Sequence, residues 1–264
     1  MYIHNLSPVL INFGFLEIRW YSLAYIFGIL IGWWVAKKII IFKIENKTVT
    51  FDVKFLDDLI SYVIISIIVG GRFGYIIFYN LSYYLSNPLD VFKIWQGGMS
   101  FHGALIGVIV GTYLFSKKTK INLFFFLDII SSVAPIGIFF GRIANFINAE
   151  LYGKPTSLFW SVVFPEVDKI PRHASQLYEA ALEGVVLFII LISIIYIKSI
   201  KIGTVSALFM ILYGLFRIAA EQFREPDIQI GYLFDLFSMG SILSFSMILI
   251  GLLILKKARN NEFA

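Results

Sequence analysis

Residues 121–142 read Ile-Asn-Leu-Phe-Phe-Phe-Leu-Asp-Ile-Ile-Ser-Ser-Val-Ala-Pro-Ile-Gly-Ile-Phe-Phe-Gly-Arg, an apolar run that holds one carboxylate and ends on an arginine. Its length is that of a helix crossing the hydrocarbon core of a bilayer. Six runs of the same character accompany it, at about 19–42, 55–79, 99–116, 176–198, 203–223 and 235–256. Inside hydrocarbon every backbone N–H and C=O must find its partner within the protein, so each run must be a helix or a barrel strand. The strict alternation of a barrel strand is absent, and helices are the reading. Arg72 and His102 interrupt the second and third runs. The expectation is an all-α integral membrane protein, a seven-helix transmembrane bundle.

Composition agrees. Of the 264 residues, 59% are hydrophobic and 15% charged, against about 45–50% and about 25% in an average soluble domain. Mean hydropathy is +0.83. Too little polar sequence remains for a separate aqueous domain, which excludes a soluble enzyme, a disordered chain and a nucleic-acid-binding module. The net charge of +5 sits in short loops between apolar spans and suggests no nucleic-acid partner. Met1 to Leu10 has neither a basic start nor a small-residue cleavage site, so no removable leader is expected.

There is no cysteine, hence no disulfide and no thiolate nucleophile. Any reacting thiol must come from the substrate. With three histidines and no cysteine, a transition-metal site is not expected, and no metal or other cofactor is invoked. No H-E-x-x-H, G-x-S-x-G or P-loop pattern occurs.

Orientation follows from lysine and arginine in the loops. One side holds thirteen of them (Lys37, Lys38, Lys43, Lys47, Lys54, Lys117, Lys118, Lys120, Lys198, Lys201, Lys256, Lys257, Arg259), and the other holds seven (Arg19, Lys93, Arg142, Lys154, Lys169, Arg172, Arg224). The first side is expected in the cytoplasm, with the N-terminus outside and the C-terminus inside. The two longest connections, 80–98 and 143–175, then lie outside. The second carries Pro155, Pro165 and Pro171 and the run Phe159-Trp160-Ser161-Val162-Val163-Phe164, which suggests a small ordered cap with a short hairpin. The expected organisation is a single polytopic domain, 1–264, with 143–175 as an extracytoplasmic cap. Glycines at helical spacing (Gly28 and Gly32; Gly103, Gly107 and Gly111; Gly137 and Gly141) suit close helix packing.

A charged side chain at mid-bilayer costs about 2.5–3.5 kcal/mol on insertion scales, which makes each one a functional candidate. On the derived topology nearly all of them fall toward one leaflet: Tyr21, Arg72, His102, Arg142, Asn145, Asn148, Glu150, Glu179, Glu183, Arg217, Glu221 and Arg224. Asp128 is the exception, in the inner half of its helix, where a packing hydrogen bond is expected. Tyr213, Arg217, Glu221 and Arg224 share one helix face, as do Arg142 and Asn145. Taken alone, Arg217 and Glu221 could be an internal salt bridge, and His102 a buried hydrogen-bonded histidine. Arg72, among Gly70, Gly71 and Gly74, could pair with a carboxylate or bind a lipid phosphate. Several guanidiniums at headgroup level match phosphate oxygens, and the carboxylates and histidine offer a base. The residues alone thus reach a phospholipid-handling protein opening to the outer leaflet, with a transporter or binding protein for an anionic solute as the alternative.

Residues 141–153, Gly-Arg-Ile-Ala-Asn-Phe-Ile-Asn-Ala-Glu-Leu-Tyr-Gly, resemble the G-R-x-G-N-F-x-N-x-E-x-x-G signature of bacterial prolipoprotein diacylglyceryl transferases. Further blocks follow in that family's order. They are Trp20-Tyr21, Gly97-Gly98-Met99-Ser100-Phe101-His102-Gly103, Arg172-His173-Ala174-Ser175-Gln176-Leu177-Tyr178-Glu179, and Phe216-Arg217, Glu221 and Phe223-Arg224-Glu225-Pro226-Asp227. Ala144 and Ala104 stand where the family has glycine, and Ser241 and Ser246 where it has glutamine and proline.

The resemblance implies transfer of the diacylglyceryl group of phosphatidylglycerol to the lipobox cysteine thiol of a prolipoprotein, in the bacterial cytoplasmic (inner) membrane. A thioether forms and glycerol phosphate leaves. It also implies residue roles: Arg142 and Arg217 as phosphate clamps, and His102 as the base with Glu150 or Glu221 as rivals. Tyr21, Asn145 and Gly153 would serve binding and site geometry, with Arg224 in support, while Arg72 is a substrate-binding candidate from its position alone. The implied partners are phosphatidylglycerol, a lipobox peptide and the bilayer.

Overall fold

The computed structural model describes residues 1–14, 17–46, 53–94, 97–225, 232–233 and 237–263. Lys47, Pro226, Asp227 and the first residues of the seventh expected span lie outside the described residues. Among those described are seven long helices, one at each expected place. They are α1 (Trp20–Glu45), α2 (Phe55–Tyr79), α3 (Phe101–Thr119), α4 (Leu123–Ile147), α5 (Ser175–Ile195), α6 (Thr204–Glu221) and α7 (Met239–Arg259). Six of them are long and apolar enough to cross a membrane. α3 falls short of that standard because His102 opens it, Lys117 and Lys118 close it, and three glycines dilute its apolar run. The chain is an all-α, multi-pass membrane protein. Its strands are short: β1 (Tyr2–Ile3), β2 (Val9–Asn12), β3 (Glu17–Arg19), β4 (Val162–Val163), β5 (Pro171–Arg172), β6 (Tyr232–Leu233) and β7 (Phe237–Ser238).

The chain forms two compact units, Lys43–Leu127 and Met1–Phe42 with Asp128–Ala264. In the first, α2 and α3 pack through small residues. Gly70 and Gly74 lie against Gly103, and Gly107 and Gly111 lie against Ser66, so closely that an added Cβ would meet backbone or the serine side chain. Close backbone approach of this kind is how helices associate without a hydrophobic driving force between them. Ser100 caps α3, its Oγ accepting the Gly103 N–H at 3.2 Å, and its own N–H donates to the Gly71 carbonyl at 2.8 Å.

The second unit holds α4 to α7 and most of α1. Gly28 of α1 faces Gly137 of α4, where a Cβ would come within 3.0 Å of the Gly137 Cα. α6 and α7 touch at Gly214 and Gly251, each pressed on a carbonyl of the other helix. Asp128 acts as an N-cap supplied by another helix. It accepts the Gly203 N–H at 2.7 Å, the Ser206 N–H at 2.8 Å and the Ser206 hydroxyl at 2.6 Å, satisfying donors that the first turn of α6 leaves open. The packing role expected of Asp128 therefore takes the form of a cap.

Segment 143–175 carries β4 and β5, which pair antiparallel, Val162 with Arg172 and Val163 with Pro171. β1 adds to the outer side of β4 in parallel, and the Met1 ammonium donates to the Phe159 carbonyl at 2.6 Å. This addition has no signature in the sequence, because two residues show no periodicity. Ala149, Val162, Phe164 and Ala174 form the cap's core, with Phe146, Tyr152 and Val167 against it.

Candidate functional site

Three helices of the second unit contribute to one cluster of buried charge. From α4, Arg142 Nε lies 2.8 Å from Glu179 Oε2 and its Nη2 lies 3.2 Å from Glu183 Oε2. From α6, Arg217 Nη1 lies 2.9 Å from the same Glu179 oxygen and 3.7 Å from Glu183 Oε1, and its Nη2 lies 2.8 Å from Glu221 Oε2. Arg224, just past α6, donates to Glu179 Oε1 at 3.4 Å. Glu179 is 1% exposed and Glu183 0%. Removing one member of a buried pair strands the other's charge, at about 3–5 kcal/mol.

Several of these contacts are ion pairs by distance but lie off the hydrogen-bond line. Among the described residues, Arg217 Nη1, Glu179 Oε2, Glu183 Oε1 and Glu221 Oε2 make no hydrogen bond. Arg217 therefore keeps directional donor capacity inside a charged, low-dielectric pocket.

Local structure explains why the groups meet. Between Ala180 and Val186, α5 widens into a π-helical turn, and Glu179 and Glu183 fall at its start and within it. Such turns interrupt α-helices frequently at functional sites. Gly184 follows Glu183 and lies against Phe139 of α4, three residues before Arg142. That close approach brings Glu183 within reach of the arginine.

One turn along α4 from Arg142, the Asn145 Nδ2 donates to the Tyr21 hydroxyl at 3.0 Å and to Glu150 Oε1 at 2.9 Å. Ala149 and Leu151, on either side of Glu150, hold left-handed backbone, at φ 55° and 56°. Each costs about 1–2 kcal/mol in an L-residue. Gln176 donates to the Glu150 carbonyl at 2.7 Å and Ser175 to that of Leu151 at 3.0 Å, which fixes the turn. Gly153 lies wedged between the carbonyls of His173 and Phe223, both of which an added Cβ would strike. This joins the cap to the end of α6, close to Arg224.

In the cap, Arg172 donates to Asp168 (Nη2 to Oδ2, 2.6 Å), to Glu225 Oε2 at 3.0 Å and to the Gly153 carbonyl at 3.1 Å. That hydrogen bond, with one from the Ile170 N–H, holds the Asp168 carboxyl below the usual range. Burial, reinforced by the Lys154 charge, pushes His173 down.

The structure brings Arg142, Arg217, Glu221 and Arg224 into one cluster, and Tyr21, Asn145 and Glu150 into one hydrogen-bonded set. Arg217 and Glu221 do form the salt bridge considered from sequence, but within one helix; the locks between helices run through Glu179 and Glu183. In the sequence these two are carboxylates four residues apart inside an apolar span, a spacing that by itself assigns them no specific role. His102 stands exposed in the first turn of α3, in the first unit. Arg72, also in that unit and open from sequence to either a carboxylate or a lipid phosphate, gives its donors to neither. Its five N–H groups all go to backbone carbonyls, those of Val91 (2.9 Å), Gly97 (2.6 Å), Gly98 (3.2 Å), Asp90 (2.6 Å) and Lys93 (3.3 Å). A guanidinium has five such donors and no more. Arg72 holds the connection after α2 in place and has no donor left for an anion.

Comparison with known proteins places the chain in a family. Residues 8–256 match the family model of prolipoprotein diacylglyceryl transferase. The chain is 51% identical over 249 residues to the phosphatidylglycerol–prolipoprotein diacylglyceryl transferase of Rickettsia felis, covering 94% of this chain and 95% of that one. It is 49% identical over 253 residues to the enzyme of the same name from Rickettsia typhi, covering 95% and 96%. Against that of Rickettsia bellii it is 49% identical over 255 residues, covering 96% and 95%. The chain belongs to the prolipoprotein diacylglyceryl transferase family, and the alternative of a carrier for an anionic solute finds no support among these relatives.

Proposed function

We propose that this chain, as a member of that family, moves the diacylglyceryl group of phosphatidylglycerol onto the lipobox cysteine thiol of a prolipoprotein. The sulfur–carbon bond forms as the carbon–oxygen bond to phosphate breaks. The thiol proton goes to a base and glycerol phosphate departs. The observation that carries the reading is the convergence of Arg142 and Arg217 on one oxygen of Glu179, at 2.8 and 2.9 Å. Two guanidiniums that focus on one anionic oxygen can do the same for a phosphate oxygen, and Arg is suited to that by its planar fork.

The phosphate gains charge as the bond to carbon breaks, so preplaced guanidiniums stabilise the transition state more than the bound lipid. A thiol of ordinary pKa, about 8.5, must be deprotonated to attack. His102 is our first candidate for that base, on the strength of its motif Gly97–Gly103, with Glu150 and Glu221 as the rivals. Tyr21, Asn145 and Gly153 shape the neighbouring wall, and Arg224 supports Glu179. The loop charges support a multi-pass arrangement in the bacterial cytoplasmic membrane, with the N-terminus outside and the cluster toward the outer leaflet.

The test is an assay with purified protein, phosphatidylglycerol and a lipobox peptide, read by mass spectrometry of the peptide. The expected result is a diacylglyceryl mass increment that requires the cysteine. An unmodified peptide, under conditions where a Rickettsia relative acts, would sink the reading.

A further inference from the structure

If phosphate is to sit at Arg142 and Arg217, it must enter a place that is already electrically full. Those two guanidiniums face three carboxylates, Glu179, Glu183 and Glu221, and Arg224 adds one more positive charge against Glu179. Among the described residues, no surplus positive charge awaits an anion there. A further negative charge brought among buried carboxylates is costly unless something neutralises it, and a buried acid meets that demand by taking a proton.

The three carboxylates are not equally placed to do so. Glu179 has three guanidinium contacts, at 2.8, 2.9 and 3.4 Å. Glu221 has Arg217 at 2.8 Å and lies against Gly240 in the first turn of α7, whose N-terminal end favours negative charge. Glu183 has the weakest support, one contact at 3.2 Å and one at 3.7 Å, while being fully enclosed. Facing it are Arg142 from α4, Arg217 and Tyr213 from α6, and Glu179 on its own helix. An incoming phosphate oxygen would draw on the same two guanidiniums and leave Glu183 with still less.

We infer that Glu183 holds the place of the substrate's phosphate and takes up one proton when the anionic headgroup binds. The inference rests on the phosphate reading of the cluster given above. The proton comes from solvent, converts the Glu183 carboxylate to the acid, and returns when glycerol phosphate leaves. Arg142 and Arg217 are thereby released to the lipid, and Glu183 acts as a positioning residue that does not touch the reacting atoms.

The experiment is calorimetric titration of the purified full-length protein with short-chain phosphatidylglycerol near neutral pH. Buffers of different ionisation enthalpy report the protons exchanged on binding. A phosphodiester keeps one negative charge across this range, so any proton taken up belongs to the protein. The expected result is about one proton per headgroup bound in the wild type, and close to none in Glu183→Gln with binding retained. The wild type also gives a readout that needs no variant, a protonated-carboxyl infrared band appearing on binding. Binding without proton uptake overturns the inference and leaves the phosphate reading standing, as does uptake that persists unchanged in Glu183→Gln. Absence of headgroup binding by the wild type removes both.

Discussion

Gly184 lies so close to Phe139 that a Cβ on the glycine would stand 2.7 Å from that of the phenylalanine. The contact sets the spacing of α4 and α5 one residue from Glu183 and three from Arg142. Gly184→Ala should spread the two helices at a cost of about 1–3 kcal/mol. The 3.2 Å Arg142–Glu183 contact would lengthen with it. Turnover is expected to fall about tenfold or more while the protein still purifies folded, as kinetics beside a thermal melt will check.

Arg142→Ala removes a donor from the leaving phosphate. The loss of an oxyanion-type donor costs about a hundred- to a thousandfold in rate. Arg142→Lys should recover only part of this, since a point charge cannot reach two carboxylates and a phosphate in one plane. Full activity in either variant would dismiss the clamp.

Gly153 has no room for a methyl group, and its neighbours are backbone carbonyls of His173 and Phe223, which cannot rotate away. Gly153→Ala should pull the cap from the end of α6 and cut activity at least tenfold. Hydrogen exchange over 150–175 should rise in parallel. Unaltered exchange would mean that the contact does not hold the cap.

Asp128 lies outside the charged cluster and caps α6 from a neighbouring helix. Asp128→Ala should lower stability by about 1–3 kcal/mol, the range for leaving buried donors without a partner. The turnover of the folded fraction should stay that of the wild type. A melt in detergent with active-site titration separates the two quantities.

The cap should loosen in acid in two stages. His173 is held neutral, so its contribution is present above the ordinary histidine range, near pH 6.5, and is lost as pH falls below it. Asp168 is depressed by Arg172, so its share is present above the ordinary carboxylate range, near pH 4, and goes only in stronger acid. Proteolysis of segment 153–175 across pH should show both steps. Asp168→Asn should abolish the lower one and leave the upper.

The seven helices were legible because length and hydropathy are set residue by residue, and a bilayer tolerates few other solutions. The gathering of Arg142, Arg217, Glu221 and Arg224 was legible for the same reason: each is expensive in or beside an apolar span. Partners were harder to read. Glu179 and Glu183 owe their central position to a π turn and to the fit of Gly184 on Phe139, and neither leaves a mark in spacing or composition. Arg72 shows the opposite case, since its sequence context leaves a carboxylate or a lipid phosphate open as its partner. A guanidinium among glycines reads like an anion site, and only the path of the following loop reveals five carbonyls around it. The serines near 241 read only as departures from the family pattern, and the structure places the Ser241 hydroxyl 3.0 Å from that of Ser238. Ser238 caps α7 by accepting the Ser241 N–H at 3.1 Å.

The parallel pairing of Tyr2–Ile3 with Val162–Val163 has a consequence for biogenesis. At translation speeds of about 5–20 residues per second, the ribosome needs roughly ten to thirty seconds to deliver the second partner after the first. Four long helices, α1 to α4, are made in that interval while the leading strand waits with its edge unsatisfied. The lid over the Glu150 turn is thus sealed late, after the chain has reached Arg172, and premature docking of the leading strand elsewhere is the error that insertion must avoid.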